Sequence, residues 1–381
     1  MKILSVALAT VLTAPRIRAF AIVRSCTSTT ARTMSSVTED GKVADAPNPL
    51  LQSNELPKFS AIEPSQLTPA MKAILEKLES DFASLESKLA EAKDSVIYDD
   101  VLPALEKMQH PLGYAWGIAG HLKGVKDSDD LRKAYEENQP NIVKTSMKFS
   151  QSKPVYDALM AVQKKWEYEE KKDDDFVMAQ KQRAVSNSLR SMTLQGVGLA
   201  EGSPEQKRFN EIKLRFAELS TAFSNNVLDA TKLFGLTVTN PQSVEGVPDS
   251  ALAMWAQAHQ QHLIKEASDE EEKNKLGEAE VNPKAGPWRI TLDGPSYIAA
   301  MQHVPDRDLR KQVYIGYMTR ASEFTAEQLE KNDTTEKKEG APGKNNVPII
   351  AEILKLRKEV SGLLGYNNYA GELRLRFFNR N

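Results

Sequence analysis

"SPEQKRFNEIKLRFAELSTAFSNNVLDAT", Ser203 to Thr231, decides the fold class. Ser203 is placed to cap a helix, Pro204 takes the first helical position where its missing N–H costs nothing, and Gln206 completes a capping box. Phe209, Ile212, Phe216, Leu219, Phe223 and Val227 then recur at three- and four-residue steps, the period of one apolar helical face. A helix this long cannot bury its stripe alone, so it predicts a body of packed helices.

The same period continues outward in both directions. Upstream, Thr68-Pro69 predicts a helix start, followed by Ile74, Leu75, Leu78, Phe82, Leu85 and Leu89 on one face. Pro103 and Pro111 are expected to break the next region into two pieces. Ser128 in "DSDDLRKAYEE" is an N-cap with acids in the first turn. Helices are expected over about 154–171 and 176–194, the second ended by "GVGL" (Gly196 to Leu199). Downstream, a helix over about 249–275 carries an acidic run at Asp269 to Glu272, and "DRDLRKQVYIGYMTRAS" and "EILKLRKEVSGLLGYNNYA" are two more. "EKKEGAPGKNN" between those two is a solvated loop. Strand signals are confined to "LFGLTVTN" (Leu233 to Asn240) and "PWRITLD" (Pro287 to Asp293), which predict a small paired β insert over about 233–293. The fold class is predominantly α.

Composition excludes several functions. The 381 residues carry a formal net charge of -2, so no global field draws in nucleic acid. Beyond the N-terminus the apolar runs are short and periodic, and no membrane span is expected. Cys26 is the single cysteine, which excludes an intramolecular disulfide and any multi-cysteine zinc site. The first 38 residues hold Lys2, Arg16, Arg18, Arg24 and Arg32, no acid, and many Ser and Thr, the make-up of a targeting segment. With the polar linker it occupies residues 1–46 and stands apart from the fold. Its composition favours organelle import (plastid or mitochondrion). A secretory signal cleaved near "RAFA" (Arg18 to Ala21) and a cytosolic form initiated at Met34 are the alternatives.

No catalytic constellation emerges. The five histidines are followed by Pro111, Leu122, Gln260, Leu263 and Val304, so H-E-x-x-H and H-x-x-E-H are both absent. His259 and His262 form H-x-x-H on one helical face, but with no third local ligand they read as surface-helix residues. His110, His121 and His303 are isolated helix-end or packing residues. "GAPGK" (Gly340 to Lys344) lacks phosphate-loop spacing, and Gly196-Val197-Gly198 follows a helix rather than a strand, so neither cradles a nucleotide. Trp116, Tyr135, Phe216 and Tyr314 are read as core aromatics. Catalytic, cofactor and metal residues are each expected to be none.

Several segments together resemble the N-terminal half of the oligopeptidase A and thimet oligopeptidase family of zinc metallopeptidases. They are "NPLL…LPKFSAIEP" (Asn48 to Pro64), "FSNNVLDAT" (Phe223 to Thr231), "WRITLDGPSYIAAM" (Trp288 to Met301), "LRKQVYIGYMTRAS" (Leu309 to Ser322) and "ILKLRKEVSGLLGYNNYA" (Ile353 to Ala370), in the family's order. The resemblance covers residues 47–370 and implies a multi-helix N-terminal lobe of a metallo-oligopeptidase. "GELRLRFFNRN" (Gly371 to Asn381) departs from the family's continuation and is a divergent tail. The family's zinc ligands, base and substrate residues lie beyond the matching segments, so none carries over to a position here. The resemblance implies an intact zinc enzyme that degrades short unfolded peptides, targeting peptides included, inside an organelle. It also implies that the 381 residues, read as a truncation, bind no zinc, expose apolar surface, and form a helical but poorly behaved chain. The alternative is a non-catalytic helical peptide-binding or scaffold protein derived from that family.

Overall fold

The computed structural model describes residues 47–168, 176–322 and 344–377. The leader and most of the 336–346 loop lie outside them. Among the described residues the chain is predominantly helical with one pair of short strands, as expected. It divides into two compact units, residues 47–220 with 358–377, and residues 221–357.

The first unit is built on α1 (Leu67–Ala92), whose stripe from Leu67 through Ile74, Leu78, Phe82 and Leu89 is buried along its whole length. Its N-terminal half packs with Leu50, Ile62, Ile118, Leu131 and Ile142. Its C-terminal half packs with Val96, Phe149, Leu159, Val185 and Leu189. The proline-rich arm is pinned to the helix start, because Asn48 Nδ2 donates to the Gln66 carbonyl at 2.8 Å while its Oδ1 accepts from Leu50 N at 3.0 Å.

The next helix corrects the sequence reading. α2 (Tyr98–Val125) runs unbroken through Pro103 and Pro111. Each proline removes one intrahelical bond, a cost of about 3 kcal/mol in an isolated helix. Burial of Val101, Ala115, Ile118, Ala119 and Leu122 outweighs it, because tertiary packing of the apolar face supplies most helical stability in proteins.

α3 (Asp129–Ser150) starts as expected, with Ser128 Oγ accepting from Leu131 N at 3.3 Å. α4 (Lys153–Tyr168) and α5 (Phe176–Leu194) follow. α5 closes on Gly196 at φ 88, with Val197 N donating to the Met192 carbonyl at 3.1 Å. A Cβ at Gly196 would also meet Phe209 Cε1 at 3.2 Å, so both conformation and space favour glycine. α6 (Pro204–Leu233) has Ser203 Oγ accepting from Gln206 N at 3.1 Å. The reciprocal bond goes to Gly202 N (2.8 Å) rather than to Ser203 N, so the capping box is displaced by one residue.

In the second unit β1 (Leu236–Val238) pairs antiparallel with β2 (Trp288–Ile290), aligning Val238 with Trp288. The ribbon packs on α7 (Asp249–Glu266) through Leu252, Trp255 and Ala256. The expected single helix over 249–275 is two. α8 (Glu270–Glu278) begins afresh, with Asp269 Oδ1 accepting from Glu272 N at 2.7 Å. Glu270 to Glu272 thereby occupy a first turn, where the helix dipole favours negative charge.

α9 (Gly294–His303) and α10 (Arg307–Met318) complete this core. Gly316 lies against the Phe234 ring, and a Cβ there would meet Cε2 at 2.4 Å. Gly316→Ala therefore overpacks the core, and a loss of about 1–3 kcal/mol exceeds the roughly 1 kcal/mol gained in helix propensity. A thermal melt of the variant checks the sign.

α11 (Val347–Leu363) begins at buried Asn346, whose Nδ2 donates to the Phe223 carbonyl at 3.1 Å and whose Oδ1 accepts from Asn226 Nδ2 at 2.9 Å. Pro348 sits in its first turn without disruption. The tail contributes α12 (Tyr369–Phe377), with Glu372 fully buried and accepting from Ser361 Oγ at 3.0 Å.

Candidate functional site

His259 and His262 both lie on α7. His259 is half-buried, and its Nδ1 is sealed from solvent with no hydrogen-bond partner. Burial, then the neighbouring His262 and Arg289, hold its imidazole below the ordinary histidine range. An imidazole that disfavours positive charge, as His259 does, is suited to a metal only if further ligands converge on it. The acid nearest His262, Glu266, is 3.9 Å from its Nδ1. Among the described residues no group of three His, Cys, Asp or Glu side chains could hold a metal ion. His110 Nε2 lies 2.9 Å from the Ser53 carbonyl, the His121 ring is 5.5 Å from Phe59, and His303 ends α9. These residues do not fit a catalytic zinc centre, which needs three convergent protein ligands and an open position.

The first unit holds an open cavity of about 860 Å3 lined by Glu79, Glu86, Lys148, Gln151 and Ser152. Its polar groups are engaged with one another. Glu79 accepts from Lys148 Nζ at 2.9 Å and Thr145 Oγ1 at 3.0 Å, and Glu86 accepts from Ser152 Oγ at 2.5 Å. Gln151 Nε2 donates to the Gln195 carbonyl and to Asn210 Oδ1. The groups join α1 to α3 and its C-terminal turn, and Gln151 joins that turn to the end of α5 and to α6. Ser152 Oγ, which donates to Glu86, also accepts from Val155 N at 3.3 Å as the cap of α4.

The Lys148 hydrogen bond, helped by Thr145 and opposed by burial, holds the Glu79 carboxyl below the usual carboxylate range. A lowered folded-state pKa contributes stability above the unfolded value that is lost as pH falls through the folded one. Glu79→Gln is therefore expected to lower stability at pH 7 by less than about 1 kcal/mol, since both partners are half-exposed. The difference from wild type should shrink as pH falls through the folded-state pKa, as urea titrations at pH 7 and at successively lower pH would read.

The second unit presents a tyrosine–arginine surface. Tyr297 on α9 and Tyr317 on α10 stack at 4.0 Å and 22°. The Arg320 guanidinium lies over the other part of this arrangement, its Cζ 3.6 Å from the Tyr317 ring centroid. Its Nε donates to the Tyr317 carbonyl at 3.0 Å and its Nη1 to Thr231 Oγ1 at 3.4 Å. Burial, first, and the nearby Tyr314 and Tyr317 hydroxyls push the Tyr297 phenol up. Tyr314, expected in the core, is 40% exposed on α10, because Leu309 and Val313 already face inward there. Trp116 and Tyr135, by contrast, are half-buried and stacked at 3.9 Å in the first unit, and burial pushes the Tyr135 phenol up to about 12. Sequence reasoning missed this surface. The available signal was Tyr314, Tyr317 and Arg320 at successive three-residue steps.

None of the helices among the described residues is long and apolar enough to cross a membrane. Residues 71–220 match the family model described as "Neurolysin/Thimet oligopeptidase, N-terminal domain". Over 323 residues, 85% of this chain, the protein is 36% identical to the probable cytosolic oligopeptidase A of Arabidopsis thaliana, covering 40% of that relative. It is equally similar over the same length to the organellar (chloroplastic/mitochondrial) oligopeptidase A of Arabidopsis thaliana, covering 35% of it. Oligopeptidase A of Haemophilus influenzae is 35% identical over 322 residues, 84% of this chain and 40% of that relative. The chain thus spans well under half the length of these relatives. The matched N-terminal domain and the long run of shared residues make this helical chain similar to the N-terminal portion of the oligopeptidase A and thimet oligopeptidase family.

Proposed function

We propose that this chain is the N-terminal portion of a zinc metallo-oligopeptidase that degrades short peptides, targeting peptides among them, inside an organelle. The observation that carries this reading is the 36% identity over 323 residues to two oligopeptidase A proteins of Arabidopsis thaliana. The basic, acid-free, Ser/Thr-rich first 38 residues and the organellar location named for one of those relatives support the compartment. Secretion, or a cytosolic form begun at Met34, are the alternatives for localisation. When bound in a family enzyme, zinc polarises the scissile carbonyl and activates a water molecule. The five histidines here do not form that site, so in this reading residues 1–381 contribute the helical wall and peptide-facing surface, not the chemistry.

A second reading is favoured by one observation, the fully buried Glu372 that ties α12 to Ser361 and gives the tail a packed place in the first unit. In it the chain is a non-catalytic, helical peptide-binding or scaffold protein. Sequencing the transcript beyond codon 370 separates the two. An in-frame H-E-x-x-H downstream supports the peptidase portion, and a stop codon with stable protein in vivo supports the scaffold.

A further inference from the structure

We propose that the Tyr297–Tyr317–Arg320 surface of the second unit captures the free C-terminal carboxylate of a short peptide, with that residue's apolar side chain laid on Ile298, Tyr314 and Met318. The proposal rests on the reading of the chain as a peptide-handling protein and adds which end of the peptide is held, and where.

The guanidinium is held in place with hydrogen-bonding capacity to spare. Its groups in use are the Nε and one Nη1 hydrogen, and both go to neutral acceptors, the Tyr317 carbonyl and the Thr231 hydroxyl. Among the described residues no carboxylate lies within ion-pair reach of it, and its Nη2 group has no acceptor. Tyr317 supports one face of the guanidinium, and Tyr297 supports Tyr317. The rotamer freedom that a long arginine loses on binding has therefore been surrendered in folding.

The backbone beneath is held as tightly. Ala321, next to Arg320, lies at φ 50, a left-handed conformation unusual for a residue with a side chain. Its carbonyl accepts from Asn346 N at 2.9 Å, and Asn346 is itself fixed by Phe223 and Asn226. Such strain persists where the surroundings over-determine it, and it clusters at ligand clamps.

Charge and shape select the ligand. One unneutralised guanidinium matches one carboxylate in a bidentate pair, and a chain of net charge -2 offers no general attraction to polyanions. Ile298, beside Tyr297 on α9, is 53% exposed, and Tyr314 and Met318, one helical turn apart on α10, are 40% and 54% exposed, with Tyr314 near enough to Tyr297 to act on its phenol. Tyr, Arg and Met are the residue types enriched in recognition surfaces. A C-terminal residue carries its carboxylate and its side chain on the same Cα, so one residue meets both features. An internal glutamate places its carboxylate at the end of its own side chain and leaves the apolar surface unfilled.

The test is fluorescence anisotropy on the full 381-residue protein, with dye-labelled hexapeptides ending in leucine as the free acid, the same peptide amidated, and an amidated peptide with one internal glutamate. The free acid should bind about tenfold or more tighter than either other peptide, the effect of one charge-assisted pair. Arg320→Gln should erase that preference, and Arg320→Lys should restore part of it, with unchanged circular dichroism in both. Tyr314→Ala should weaken the leucine peptide and leave a glycine-ended free acid unaffected. Equal binding of acid and amide by the wild-type protein would overturn the proposal and leave peptide handling standing. Preference for the internal glutamate, or a preference surviving Arg320→Gln, would also overturn it. Binding of none of the peptides would overturn both this proposal and peptide capture by these residues.

Discussion

Trp255→Ala is expected to cost the second unit about 3–5 kcal/mol, the range for deleting a buried aromatic side chain. Trp255 is fully buried at the centre of a cluster that includes Val238, Leu252, Trp288, Ile290 and Val313. It is also a hydrogen-bond donor, with Nε1 2.8 Å from Ser296 Oγ. That hydroxyl accepts a second bond from Thr291 N at 3.0 Å, and so ties α7, the end of β2 and the start of α9 together. Ser296→Ala removes one oxygen and little volume, yet it leaves two donors without an acceptor. At about 1–3 kcal/mol for each such group, reduced by water reaching Thr291, the cost should be about 2–4 kcal/mol. Trp255→Phe keeps most of the apolar contact and removes the donor, and should fall below both. Hydrogen exchange of amides in residues 236–318 reads all three. Protection unchanged by Ser296→Ala would show that the shared hydroxyl does not organise the unit.

The second large effect concerns chemistry. Enzymes accelerate their reactions by about a millionfold or more, and in zinc peptidases that acceleration depends on a metal-activated water and a carboxylate base beside it. The sequence contains no H-E-x-x-H, and among the described residues no further ligands converge on His259 and His262. Peptide hydrolysis by the 381-residue protein should therefore be indistinguishable from the buffer rate. His259→Ala and His262→Ala should change neither that rate nor metal content, whereas both would fall if the pair were an unrecognised site.

Much of the fold was legible because local pattern and tertiary packing agree. The stripe from Ile74 to Leu89, the Ser128 cap and the α5 bounds follow from period and capping chemistry, and the structure has them. The strands were legible because β-branched and aromatic residues alternate there between turn residues. Misreadings arose where the two levels disagree. Proline is a local breaker, but α2 is held by a face that packs along its whole length. The acidic run after Ser268 fits the α7 period yet caps and charges a new N-terminus better. Tyr314 occupies a helical step that looks inward only until Leu309 and Val313 are seen to fill that face. Ser296 and Glu372 were invisible for another reason. A buried polar side chain is recognisable only through partners such as Trp255 and Ser361, which lie far away in sequence or beyond a turn. The tyrosine–arginine surface needed two helices and Thr231 in place before its three-residue steps acquired meaning.

In the proposed reading the described residues supply the helical frame of a metallo-oligopeptidase and hold no zinc themselves. Metal analysis of the purified 381-residue protein, coupled to a quenched-fluorescent peptide assay with and without o-phenanthroline, tests it most directly. The predicted result is zinc far below one equivalent and no chelator-sensitive cleavage. One equivalent of zinc together with turnover that the chelator abolishes would contradict the claim.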